Sequence, residues 1–315
     1  MGCLPRIPDR GQSAWPIRLT LAGMTRTARS IGLLLVLAVV LIAAGYVSLN
    51  PPGKGGSGDG EGLGYRARPV QLAPERADLA GVPSMEKVFD RLAEARPFNI
   101  FIVGDSTGIS ERGWQRQLMA WLGEKTGRAV SFTQWFTTED GGQGYYKPFE
   151  LVGGGGAPIN VYNASAGGKG WDYTEETLSE TMDPLDGKRV DLLIVNHGHN
   201  VFPAGDYYAE GVLRVMDPLV REHPEMGVLL MKQNPEKNSN RDSAMRSVSR
   251  QIDFYSEETG AMFVDVFAAF EETGQPESLI DKTKFHPTPK GYVLWFETVR
   301  DALEPLLPTR RTTAR

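Results

Sequence analysis

Short apolar runs alternate with amphipathic segments through the chain from about residue 97 to residue 306. Six runs have the length and composition of buried strands: Asn99–Val103, Val130–Phe132, Ile159–Asn163, Val190–Asn196, Gly227–Lys232 and Met262–Val266. Five further segments have apolar residues at helical spacing: Ser110–Lys125, Thr174–Thr181, Asp206–Glu222, Ser239–Glu258 and Lys290–Leu306. Because mostly apolar strands separated by helices are typical of parallel sheets covered on both faces, the alternation predicts a three-layer α/β/α domain with a mostly parallel central sheet.

One stretch inside this domain departs from the pattern. Residues 134–157 are rich in glycine and aromatic residues and follow neither the helix nor the strand period, so we predict a long loop there. Four aromatic residues in or near it have two open interpretations, stacking on a sugar or acyl chain, or local packing: Trp135, Tyr145, Tyr146 and Trp171.

The amino-terminal segment has a different character. Residues 31–49 are uncharged, apolar on all faces and about long enough to span a bilayer, so they predict a transmembrane signal anchor. Five arginines and one acid precede them, and the positive-inside rule therefore places residues 1–30 in the cytoplasm and the following domain outside it. A cleaved signal peptide, which would release a secreted protein, and a buried core helix stay open as alternatives.

Composition also predicts the segments on either side of the domain. Residues 50–96 are a Gly- and Pro-rich linker that ends in a short helix around Ser84–Ala95, and residues 307–315 are a disordered tail.

The formal net charge of −5 and the lack of a basic stripe argue against nucleic acid as a partner. The single cysteine, Cys3, excludes an internal disulfide and a zinc site built on thiolates. No obligate protein partner is implied.

Residues suited to catalysis follow the predicted strands. Gly104-Asp105-Ser106 places a serine hydroxyl at the carboxyl end of the first strand, where open α/β sheets bind their ligands. His286 lies late in the chain, in a loop before the last predicted helix. Asn163–Gly168 and Gly198–Asn200 also follow strands, so four polar segments can meet at one edge of the sheet. A serine and a histidine placed together there are what an activated nucleophile and its base require.

Together the four segments resemble the SGNH/GDSL hydrolases, a superfamily of serine esterases, lipases and carbohydrate acylesterases. The resemblance covers residues 97–306 and implies a flavodoxin-like α/β/α fold without a cofactor or a metal ion. It implies that Ser106 is the nucleophile and that His286 is the base, followed by the proline usual in the family, Pro287.

The resemblance also implies an oxyanion hole. Its donors would be the N–H groups of Ser106 and Gly168, with Gly167 as the alternative glycine, and the side-chain amide of Asn200. Donors fixed in advance around a developing oxyanion contribute on the order of 3 kcal/mol each to transition-state stabilisation. The sequence departs from the family at Val201, where an aspartate is usual.

The triad acid is the second departure. In the family an aspartate precedes the histidine by three positions, and here Thr283 stands at that position. Asp281 is the nearest carboxylate on the amino-terminal side of His286, and a bulge in the loop would let it reach Nδ1. We therefore name Asp281 as the candidate acid, with a solvated Asp281 and a Ser-His dyad as the alternatives.

Ordinary structural roles stay open for these candidates. Ser106 and Asn200 both suit a helix N-cap, and His286 suits a surface loop. His197 and His199 lie on one side of an extended segment and invite a metal hypothesis. Because no third ligand is near them in sequence, we predict that both are pocket-edge or structural residues.

The sequence therefore predicts a membrane-anchored, extracytoplasmic serine esterase. Its substrates would be acetyl or other short O-acyl esters, on small molecules or on glycans of the envelope or the extracellular space. The alternatives are an acyltransferase that acts on glycan hydroxyls, and a non-catalytic glycan-binding module of the same fold.

Overall fold

The computed structural model describes residues 82–200, 207–237 and 239–308. The predicted anchor at residues 31–49, most of the linker and most of the tail lie outside the described residues. Within the described residues, no helix has both the length and the apolar character that a membrane crossing requires.

Helices and strands alternate along the described chain. The strands are β1 (Phe98–Gly104), β2 (Val130–Thr137), β3 (Gln143–Tyr145), β4 (Phe149–Val152), β5 (Ile159–Asn163), β6 (Leu192–Asn196), β7 (Gly227–Lys232) and β8 (Met262–Asp265). The helices are α1 (Met85–Asp90), α2 (Trp114–Thr126), α3 (Trp171–Glu176), α4 (Leu178–Met182), α5 (Tyr207–Glu222), α6 (Ser239–Thr259), α7 (Val266–Glu272) and α8 (Pro289–Leu303).

The eight strands form one mixed sheet. Its order is β3-β2-β5-β1-β6-β7-β8, and β4 also pairs with β2. The pairs from β2 through β8 along this order are parallel, as the apolar runs predict, whereas β3 and β4 are antiparallel to β2. The long loop predicted for residues 134–157 is therefore wrong in part, because that stretch supplies two edge strands and the end of β2.

Both faces of the sheet are covered by helices. Successive residues of β1 pack into different hydrophobic clusters on the two faces of the sheet. Ile102 lies in the cluster that contains Trp114 of α2, and Phe101 lies in the cluster that contains Trp171 of α3. Because successive side chains of a strand point to opposite faces, this division requires apolar cover on both sides. The described domain thus has the predicted three layers.

The order of the strands determines where a site can form. The chain leaves β1 toward β2 on one side and later continues from β6 to β7 and β8 on the other, so the connections diverge between β1 and β6. In open α/β sheets the crevice at the carboxyl ends of such strands is the usual ligand site. The segments after β1, β5, β6 and β7 all lie at this edge.

Candidate active site

Ser106 lies two residues after the end of β1 and is half-buried. The carboxylate of Asp105 accepts hydrogen bonds from the backbone N–H of Thr107 over 2.9 Å and from its hydroxyl over 2.8 Å. These bonds cap a short 3-10 turn, Ser106–Gly108, and so present the serine at the end of the strand. Gly104 must lack a side chain, because a Cβ there would lie 2.7 Å from the Asn196 carbonyl oxygen.

His286 reaches the serine from the other end of the chain. Its Nε2 lies 2.7 Å from Ser106 Oγ, the distance of a direct hydrogen bond. The backbone holds the histidine loop in place, because His286 N–H donates to Thr283 Oγ1 over 3.1 Å and Asp281 N–H donates to the His286 carbonyl over 2.8 Å. The structure therefore brings the predicted nucleophile and base together.

Burial governs the charge of the imidazole. It lowers the pKa of His286 below the ordinary histidine value, while the negative charges of Asp281 and Asp105 oppose this and nearby His199 adds to it. The lowered pKa favours the neutral ring at pH 7, which is the form that can accept a proton from Ser106.

Asp281 lies in the same loop, but its carboxylate is directed to Thr283. It accepts a hydrogen bond from Thr283 N–H over 2.8 Å and another from the Thr283 hydroxyl. Within the described residues, no hydrogen bond joins Asp281 to the imidazole of His286. Asp281 therefore influences the base through its charge and through Thr283, and its role as triad acid stays a prediction.

The predicted oxyanion glycine and asparagine lie in adjacent loops. Gly168 has a φ of 70°, a left-handed conformation that favours glycine, within a turn in which Lys169 N–H donates to the Ala166 carbonyl. Asn200 Nδ2 donates to the Lys169 carbonyl over 3.0 Å, so the two loops are joined. No acceptor in the described part of the chain bonds the N–H of Ser106 or Gly168. The arrangement is compatible with an oxyanion hole, and that role stays a prediction.

His197 and His199 take part in separate contacts. His197 Nε2 pairs with Thr174 Oγ1 over 2.8 Å, and complete burial lowers the pKa of this histidine to about 4. His199 Nδ1 lies 2.7 Å from Glu236 Oε1. Among the described residues, no three His, Cys, Asp or Glu side chains cluster as metal ligands.

The aromatic residues of the Gly-rich region differ in exposure. Trp135 and Trp171 are buried, and Trp135 Nε1 donates to Tyr173 Oη over 3.0 Å. Tyr145 also packs locally, with its hydroxyl donating to the Thr181 carbonyl over 2.9 Å. Tyr146 is 59% exposed and has a surface free for contact with a ligand.

Sequence reasoning missed one important residue, Gln233, which directly follows β7 and is buried. Its Nε2 donates to Asp105 Oδ2 over 3.0 Å and to the Asn196 carbonyl over 2.9 Å, and its Oε1 accepts from His199 N–H over 2.8 Å. Gln233 thus joins the nucleophile turn to the segment after β6. The signal was a polar residue at the carboxyl end of an apolar strand, the same signal that identified Ser106.

Comparison with known proteins gives structural matches. No protein-family model and no curated protein matches the sequence. The lipase/acylhydrolase from Enterococcus faecalis matches with a TM-score of 0.50 and 11% identity, over 68% of this chain and 100% of that chain. A protein of the lipolytic G-D-S-L family from Veillonella parvula gives a TM-score of 0.47 at 14% identity, over 66% of this chain and 98% of that chain. An acetylxylan esterase from Geobacillus stearothermophilus gives 0.48 at 18% identity, with 68% and 97% covered.

At such low identity, the match to the Enterococcus protein bears on fold alone. The mostly parallel sheet, the serine after β1 and the histidine before α8 agree with the fold and the site that the sequence motifs predict. The described domain therefore has an α/β/α fold similar to that of the Enterococcus lipase/acylhydrolase.

Proposed function

We propose that this protein hydrolyses carboxylic esters, with Ser106 as the nucleophile and His286 as the general base. The observation that carries the proposal is the 2.7 Å contact between Ser106 Oγ and His286 Nε2 at the carboxyl edge of the sheet. A serine hydroxyl is a weak nucleophile until a base takes its proton, and the contact supplies that base.

The reaction proceeds in two steps. Ser106 Oγ attacks the ester carbonyl carbon while its proton passes to His286 Nε2, and the carbonyl oxygen becomes an oxyanion. When this intermediate collapses, the alcohol leaves with the proton from His286 and an acyl-serine remains. Water then attacks the acyl group with His286 again as base, and Ser106 departs with its proton restored.

In this proposal three donors stabilise the oxyanion: the N–H groups of Ser106 and Gly168 and the side chain of Asn200. The left-handed conformation of Gly168 and the bond from Asn200 to the neighbouring Lys169 carbonyl support their assignment. The Asn200 amide has two hydrogens, and the bond to Lys169 uses one of them.

We also propose that the substrates are short O-acyl esters, including acyl groups on envelope or extracellular glycans. What supports this is the apolar segment 31–49 with its preceding arginines, which predicts an exported and membrane-anchored enzyme. The exposed ring of Tyr146 offers a surface on which a sugar could stack.

The test compares the full-length wild-type protein in detergent with Ser106→Ala and Ser256→Ala. Ser256 is a suitable control because its hydroxyl bonds the Ala261 carbonyl near the start of β8, at the opposite edge of the sheet. We expect Ser106→Ala to lose hydrolysis of p-nitrophenyl acetate and labelling by a serine-directed phosphonate, while Ser256→Ala keeps both. Hydrolysis at the wild-type rate by Ser106→Ala would overturn the proposal.

A further inference from the structure

The segment after β7 contacts the two residues that directly precede the members of the candidate catalytic pair, Ser106 and His286. Gln233 donates to the Asp105 carboxylate beside the nucleophile, as described above. The next residue, Asn234, is also buried, and its Nδ2 donates to the Phe285 carbonyl over 2.9 Å. Phe285 directly precedes His286, so two consecutive side chains connect the nucleophile turn with the base loop.

The base loop has a conformation that needs such support. Lys284 has a φ of 77° and is the one residue other than glycine with a left-handed φ among the described residues. A lysine in this region is strained, and such strain persists where surrounding contacts determine the backbone. Here Lys237 N–H donates to the Lys284 carbonyl over 2.9 Å, one residue before the carbonyl that Asn234 binds.

The orientation of the Asn234 amide follows from its contacts. Its nitrogen donates to the Pro235 carbonyl over 2.8 Å as well as to Phe285, so both amide hydrogens are in use. The amide oxygen must therefore act as an acceptor toward His199 Nε2, which lies 3.3 Å away.

The His199 ring is fixed in turn. Its other nitrogen faces the Glu236 carboxylate, and both side chains of this pair are 1% exposed. Arg241 Nε lies 2.7 Å from the second Glu236 oxygen and completes a charged group. The two ring nitrogens of His199 thus face side-chain oxygens, that of Asn234 on one side and that of Glu236 on the other, and these contacts fix the orientation of the ring.

We propose that Asn234 is a positioning residue for His286 and that it sets the distance from the imidazole to Ser106 through the Phe285 carbonyl. The inference rests on the proposed function. It has a physical motive, because within the described residues the imidazole donates no hydrogen bond to the Asp281 carboxylate that would orient the ring. In this protein the backbone contacts of Asn234 and Thr283 hold the loop from its two sides.

The experiment uses full-length protein with Asn234→Ala, Asn234→Asp and the control Asn160→Ala. Asn234→Asp keeps the shape and the acceptor for His199 but removes both donors. Asn160 is a matched control because its Nδ2 also donates a hydrogen bond, to Asn99 Oδ1 on the neighbouring strand over 2.9 Å. It lies on β5, away from the base loop. The measurements are kcat and KM for p-nitrophenyl acetate, the rate of phosphonate labelling of Ser106, and Tm.

We expect both Asn234 variants to lower kcat by roughly 10- to 100-fold, as a base displaced by up to 1 Å would. The labelling rate should fall in parallel, since it reports activation of Ser106, while KM should change less than about twofold because substrate contacts are kept. Asn160→Ala should lower Tm comparably and leave kcat and labelling at the wild-type level.

Other results would overturn the inference. If both Asn234 variants have a lower Tm but keep the wild-type kcat and labelling rate, Asn234 is only a structural residue. If Asn234→Asp alone keeps full activity, the bond to Phe285 is not what positions the base. Should Asn234→Asp fail to fold, Asn234→Ala decides alone, since it introduces no buried charge. Activity retained in Ser106→Ala would instead refute the proposed function itself.

Discussion

The backbone N–H of Thr283 donates to the carboxylate of Asp281 over 2.8 Å, and the threonine hydroxyl donates to the same oxygen. Thr283, at the position where the hydrolases that the sequence resembles have their acid, thus holds the nearest carboxylate. The same hydroxyl oxygen accepts the N–H of His286 over 3.1 Å. Asp281, Thr283 and His286 thus form a chain of contacts that ends on the backbone of the base.

This arrangement leads to the first prediction, for Asp281→Asn and Thr283→Val. If Asp281 were a triad acid bonded to the imidazole, its replacement by asparagine would lower kcat by roughly 10⁴-fold. Because Asp281 acts through its charge and Thr283, we expect a smaller loss of about 10- to 100-fold, of the size that loop displacement gives. Thr283→Val removes the acceptor for His286 N–H and should show a similar loss.

Steady-state kinetics of the two variants, measured side by side, checks this prediction. A loss near 10⁴ in Asp281→Asn would restore Asp281 as a triad acid that bonds the ring during catalysis. A silent Asp281→Asn would remove the residue from the site. Ser256→Ala again serves as the control.

The second prediction concerns the pH dependence of kcat/KM. Burial lowers the pKa of His286, and the neutral imidazole is the active form, so activity should fall as the pH drops through this pKa. The midpoint should therefore lie below the ordinary histidine value of about 6.5. Asp281 raises the pKa, so Asp281→Asn should move the midpoint to lower pH. A pH–rate profile of wild type and variant tests both statements, and a shift to higher pH would contradict the second.

The third prediction concerns the oxyanion donors. Asn200→Ala removes a side-chain amide that acts on charge developing in the transition state, so kcat should fall by roughly 10²–10³ with a smaller change in KM. Gly168→Ala forces a Cβ into a left-handed conformation and should lower kcat by moving the loop's N–H. If Asn200→Ala raised KM with kcat unchanged, Asn200 would be a substrate-binding residue instead.

The fourth prediction concerns stability at acidic pH. His197 is fully buried with a pKa lowered to about 4, so the folded protein holds it neutral while the unfolded chain protonates it below about 6.5. The free energy of unfolding should therefore fall as the pH drops from about 6.5 toward 4, by at most about 3 kcal/mol from this group.

Urea unfolding at pH 7.5 and pH 5 measures that loss in wild type and in His197→Gln. The variant should start from lower stability, because it loses the contact with Thr174, but should lose less on acidification. Equal losses in the two proteins would assign the acid sensitivity to other groups.

The fifth prediction tests export. A reporter that is active only outside the cytoplasm, fused after Arg315, should be active because the arginines before residue 31 keep the amino terminus inside. Deletion of residues 31–49 should abolish the signal. An active cytoplasmic reporter at the same position in the intact protein would reverse the predicted orientation.

Local pattern was enough to predict much of this domain. The bounds of Ile159–Asn163 and Gly227–Lys232 agree with β5 and β7, because short, mostly apolar runs that end in a polar residue have few other stable arrangements. It did not predict β3, β4 or α7, which are short and lack a clear period. The helix predicted for Thr174–Thr181 is two short helices, α3 and α4, divided at Thr177.

By itself the sequence determined the α/β class and the two residues of the candidate catalytic pair. The reason is that the carboxyl ends of parallel strands share one edge of the sheet, and that Ser106 and His286 both lie in recognisable motifs. Only the tertiary structure decided which side chains touch. The Asp281 carboxylate is directed to Thr283 in an irregular loop that also contains the left-handed Lys284, and no periodicity encodes such a loop. The contacts of Gln233 and Asn234 join strands far apart in the chain, and they exist only when β7 packs beside β6 and the base loop returns to the same edge.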